Sequence, residues 1–219
     1  TRLSLERRIS RQKIEPVNEL RYFSQYLLLN GISVYYDSRD NTISPWRGTH
    51  FSLNIDRYIS VQGLDQSYVF YLLIFDKYIP ISDKTTLIFA FDAVVHEGEV
   101  PEFFRMGLGG SSDLRGFINA ALVGDVKFLQ TIQAKRHLFG PWVFSIPKIG
   151  NVDVTLNAVA FVDNGALMDS VEDVFDSQCY TTGGFGLELL SPLQDRIRFE
   201  VAGGEGGNMV FIVSAGRRF

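Results

Sequence analysis

Residues Val152–Asp163 read "VDVTLNAVAFVD", and the period of that stretch is two. Val152, Val154, Leu156, Ala158, Ala160 and Val162 share one face. Asp153, Thr155, Asn157, Val159, Phe161 and Asp163 share the other. A helix would scatter both sets around its axis, whereas a pleated strand separates them. The rhythm recurs. Phe51, Leu53, Ile55 and Ile59 alternate with His50, Ser52, Asn54, Asp56 and Ser60. Ile197, Phe199 and Val201 alternate with Arg198 and Glu200. Met209, Phe211, Val213, Ala215 and Phe219 share a face that Arg217 interrupts.

About ten such segments are expected, near 1–13, 22–40, 49–61, 67–80, 85–97, 126–139, 152–164, 178–191, 195–204 and 208–219. Turn signals separate them, among them "DSRDN", "SPWRG", "PISDK", "GPW" and "GGEGG". One long connection, roughly 98–125, breaks the rhythm. "VNELRYFSQYLL" (17–28) is the best helix candidate. The expected fold class is all-β, an up-and-down antiparallel sheet, and the composition agrees: 46% hydrophobic and 13% aromatic excludes disorder.

Two environments suit such a sheet. A soluble sandwich or lipocalin-like barrel packs its apolar face inward, and would bind an apolar ligand there. A transmembrane β-barrel turns that face to lipid and encloses water. Strand length favours the second. Val152–Val162 extends roughly 36 Å, and a tilt near 45° brings this to about 25 Å, the height of a barrel's apolar band. Charges of both signs on the polar faces, such as Arg198 with Glu200 and Lys127 and Lys135 with Asp153 and Asp163, suit a wet lumen. Tyr35, Tyr36, Trp46, Tyr58, Tyr78, Trp142 and Tyr180 fall near strand ends, where an interfacial girdle would place them.

Other functions find little support. A net charge of −4 offers no basic field for nucleic acid. The single cysteine, Cys179, excludes a disulfide within the chain and a cysteine-based metal cluster. The longest apolar run, Tyr68–Phe75, is too short for a spanning helix. His50, His96 and His137 lack metal-ligand spacing, no serine sits in a nucleophile elbow, and "GLGGSSDLRG" lacks the Lys-Ser/Thr ending of a phosphate loop. No catalytic residue, metal or cofactor is expected. The chain opens on Thr1 and enters a strand at once, so it is expected to be a mature product or an excised piece of something longer.

Five motifs occur in a fixed order: "YYDSRDNTISPWRGTHFSL" (35–53), "GGSSDLRGF" (109–117), "FVDNG" (161–165), "GGFGLELLSPL" (183–193) and "FIVSAGRRF" (211–219). Together they resemble the C-terminal barrel of the bacterial surface antigen superfamily, the BamA/TamA-like outer-membrane assembly and translocation proteins. The resemblance covers about residues 31–219. That family's barrel has sixteen strands, five of them after the R-G-F loop, as in this chain; the ten segments here resemble the last ten. The resemblance implies one barrel domain over residues 1–219, with an inward-folded loop near 98–125, and either the N-terminal strands and periplasmic domains outside the chain or a divergent smaller barrel.

It also implies that Arg115 meets acidic residues on the lumen wall, with Asp163 the matched partner and Glu188 a second. Gly110, Leu114, Gly116 and Phe117 would form the loop tip. Phe211, Val213, Ala215 and Phe219 would form the C-terminal signal read by barrel-assembly machinery, with Arg217 and Arg218 a departure from the pattern. The implied setting is the bacterial outer membrane, with an organellar outer membrane the less favoured alternative. The implied partners are its lipids, unfolded client polypeptides and accessory assembly proteins, and the implied activity is inserting or translocating polypeptides. A barrel that anchors or exports a fused domain, such as a patatin-like lipase, is the alternative within the same membrane.

Overall fold

The computed structural model describes residues 2–14, 23–62, 67–110, 113–146, 150–191, 195–204 and 209–215. Ten strands form one sheet: β1 (Arg2–Ile14), β2 (Phe23–Asp37), β3 (Gly48–Gln62), β4 (Ser67–Ser82), β5 (Thr85–Gly98), β8 (Val126–Ile146), β9 (Gly150–Met168), β10 (Cys179–Ser191), β11 (Asp195–Gly204) and β12 (Met209–Ala215). Each neighbour pairs antiparallel in chain order. The missing numbers belong to a small second sheet, β6 (Met106–Gly109) with β7 (Ile118–Gly124), inside the long β5–β8 connection. Among the described residues no ladder joins β1 to β12.

Three expectations need correction. Residues 23–28 of the helix candidate lie in β2, and its residues 17–22 fall outside the described residues. "GPW" does not end β8, which continues through an irregularity at His137–Trp142. Gly140 adopts φ +104, a conformation that absorbs an extra residue without ending the ladder. The long connection was expected as plain loop but contains the β6–β7 hairpin; its four-residue strand "MGLG" is too short and glycine-rich to show alternation.

The two faces of the sheet differ sharply. Ile132, Val162, Phe185, Phe199, Phe211 and Val213 are all exposed, Phe185 and Phe211 by about two-thirds. Their sequence neighbours on the other face are buried and polar: Gln133, Asp163, Arg198 and Glu200, each no more than 3% exposed. A soluble barrel requires the reverse, since greasy side chains leave water when they can. The inner face is also concave. The β2–β3 turn touches β10, although β4, β5, β8 and β9 intervene in the sheet. Of the residues grouped as a girdle, Tyr36 and Trp142 are exposed outward, but Tyr78 is buried on the inner side and Trp46 turns inward with its turn.

Candidate functional site: an arginine-pinned loop on a charged wall

The β6–β7 hairpin lies against the inner face. Leu108 and Leu114 pack with Leu129 of β8, and Phe117 packs at a tilt against Tyr180 with ring centroids 4.6 Å apart. Arg105 pairs with Asp125 and Asp169, and Lys127 with Asp113 at 2.9 Å, tying both legs to the rim. At the tip Gly116 adopts φ +82, and a Cβ there would come 2.8 Å from the Ala202 backbone. Only glycine allows this approach to the wall. Gly110, at φ +104, turns the chain in open space.

This geometry delivers Arg115 into the wall with no exposure to solvent. Its Nε donates to Asp163 Oδ2 at 2.7 Å and its Nη2 to Asp163 Oδ1 at 2.8 Å, a two-pronged pairing matched to the planar guanidinium. Nη1 donates to Glu200 Oε1 at 2.8 Å and to Gln133 Oε1 at 3.3 Å. Thr131 Oγ1 donates to Asp163 at 2.7 Å, and the guanidinium lies over the Phe161 ring. Phe161 and Asp163 are the first and third residues of "FVDNG"; a two-residue step puts both on the inner face.

Glu188 does not take the second position. It accepts from Arg198 Nε at 2.9 Å, Asn157 Nδ2 at 3.1 Å and Ser44 Oγ at 3.2 Å. The reason is height, not side. Asp163 stands opposite Thr182 in the ladder, and Thr182 to Glu188 is roughly 20 Å at about 3.3 Å per residue. Glu200 reaches Arg115 from β11 instead. Arg198 links the two carboxylates, 2.9 Å from Glu188 and 3.8 Å from Glu200.

From the other end of the sheet the β2–β3 turn also enters. Its acidic and amide side chains shape it. Asp37 binds Arg39, Asp40 Oδ1 accepts from the Trp46 and Arg47 amides, and Asn41 Oδ1 accepts from the Ile43 and Ser44 amides. The hydrogen bonds to Asp37 raise the Arg39 pKa, so that pair stays ionic. The fold of the turn aims Ser44–Trp46 at the inner wall, where Lys135 Nζ donates to Ser44 Oγ at 2.9 Å and to the Pro45 carbonyl at 2.6 Å. Lys135 also lies 4.6 Å from the centre of the Trp46 ring. The buried polar contacts are thus continuous from Arg115 through Glu200, Arg198 and Glu188 to Ser44 and Lys135.

Phe211, Val213 and Ala215 are exposed on the outward face of β12, while Ile212 between them is buried. Phe219, Arg217 and Arg218 lie outside the described residues. No match was found among curated proteins. A family model, the Omp85 superfamily domain, matches residues 2–219, nearly the whole chain. An apolar exterior, a charged concave interior and an antiparallel ladder agree with that match, and the chain belongs to the Omp85 superfamily, an outer-membrane β-barrel family of polypeptide insertion and translocation.

Proposed function

We propose that residues 1–219 form one wall of a bacterial outer-membrane barrel that inserts or translocates client polypeptides, with the loop near 98–125 holding that wall in its working shape. The observation that carries this reading is the full burial of Arg115 between Asp163 and Glu200. A solvated loop charge would not be held this way. Buried charges are costly unless paired, so the loop is committed to one position. A wall fixed from inside leaves its hydrogen-bonding edges as the compliant parts. A client strand pairing with such an edge would hide its backbone polar groups from hydrocarbon as it enters. Phe211, Val213 and Ala215 would then serve as the greasy recognition face of the last strand. Lipids of the outer membrane, client chains and accessory assembly proteins are the partners this role requires.

The test is a proteoliposome assay that follows folding of an added barrel substrate. Arg115→Ala is expected to slow substrate folding severalfold, while Arg115→Lys retains part of the rate. Full activity in Arg115→Ala, in protein shown to be folded, would remove the loop from the mechanism. If the barrel only anchors a fused domain, substrate folding stays at the empty-liposome rate for wild type as well.

A further inference from the structure

We propose that the outward face of β8–β10 carries a binding site for one phospholipid, with Arg136 holding its phosphate and an apolar groove holding an acyl chain. This rests on the reading that the outward face meets hydrocarbon.

The groove is set by residue size. Across the sheet one outward row runs Arg136, Ala158, Leu187, Phe199 and Val213, and the next runs Ala134, Ala160, Phe185, Val201 and Phe211. On β8 and β9 both rows are alanine beyond Arg136; on β10 to β12 they are large. The small side chains make a floor and Phe185, Leu187 and Phe211 make a wall, enclosing a depression of about 640 Å³. That shape fits a methylene chain lying along the strands.

Arg136 ends this groove. Its strand neighbours Gln133 and Lys135 are buried inward, but Arg136 lies on the outward parity and is exposed. Among the described residues no carboxylate pairs with it. It stands opposite Thr85, which follows the tight Asp83–Lys84 turn, so it sits at the rim of β5. The next outward positions are Phe139 and Trp142, stacked with centroids 5.9 Å apart and about half exposed. Aromatic pairs of this kind mark the level of lipid headgroups. A guanidinium there, bordering an apolar wall, is matched by a phosphate oxygen pair. A protein partner would offer a carboxylate equally well, but the groove continues into the apolar face, where a phospholipid brings an anionic head and a long methylene chain in one molecule.

The experiment is native mass spectrometry of the purified full chain in detergent with dioleoylphosphatidylglycerol added. Wild type is expected to retain one lipid. Arg136→Gln should lower that retention about tenfold, the effect of losing a charge-assisted hydrogen bond. Ala160→Trp, which fills the floor, should do the same, whereas Arg136→Lys keeps most of it. Dioleoylglycerol, lacking phosphate, should not be retained, and excess inorganic phosphate should not displace the lipid. Equal retention by wild type, Arg136→Gln and Ala160→Trp would overturn the site. Displacement by free phosphate would reduce it to a bare anion site, and a co-purifying polypeptide displaced on adding lipid would assign the face to protein. Lipid-borne quenchers reaching Phe185 while no lipid is retained would sink this site and leave the membrane reading intact.

Discussion

Arg115 has left water completely, and its guanidinium makes four hydrogen bonds, to oxygens of Asp163, Glu200 and Gln133. Replacing it by alanine removes the guanidinium that bridges two buried carboxylates, and leaves Glu200 only the longer 3.8 Å contact with Arg198. The expected loss is roughly 3–5 kcal/mol, read as a lower unfolding temperature in detergent. Removing Asp163 as well should cost less than the two single losses added together, because the second deletion removes a charge already stranded. Gly116→Ala is a separate probe: the φ of +82 and the 2.8 Å approach to Ala202 force the tip to retreat, at about 1–3 kcal/mol. The pairing of Arg115 with Asp163 was legible from motif order, but Glu200 was not. A period of two assigns a face and says nothing of height along the strand. Glu188 and Glu200 look alike in that light, and only the ladder register separates them.

At the scale of elements, two segments reach the interior from opposite ends, the β6–β7 hairpin and the β2–β3 turn. The turn is held by Lys135, which gives hydrogen bonds to Ser44 and Pro45 and a ring contact to Trp46. Lys135→Met should release it, and trypsin cleavage at Arg39 or Arg47 in native protein should rise roughly tenfold. Unchanged cleavage would mean that the turn's own hydrogen bonds, with Glu188 on Ser44 and Thr86 on the Trp46 carbonyl, hold it without the lysine. The strands themselves were readable because alternation follows directly from the pleat. The inward reach of the turn was not. "DSRDN" with Pro45 and Gly48 announces a turn, yet its direction depends on a lysine far along the chain. The β6–β7 hairpin is hard to read for a related reason: its short strands pair only with each other, and the apolar burial that supports them comes from the wall they cover.

For the whole molecule, the account depends on which face is wet. Outward Phe185 and inward Glu188 share a strand and differ only in parity. Phe185→Arg should destabilise the barrel by about 2–4 kcal/mol in a bilayer, since it places a charge against hydrocarbon. The measurement that tests this most directly is quenching along β11 and its neighbours. Cys179 is replaced by serine, single cysteines are introduced at Val162, Phe185, Phe199, Arg198 and Asn157, and each carries a small fluorophore in reconstituted liposomes. The account predicts that a nitroxide on the lipid chain quenches labels at 162, 185 and 199, while labels at 157 and 198 escape it. The opposite pattern, or equal quenching on both parities, would contradict it.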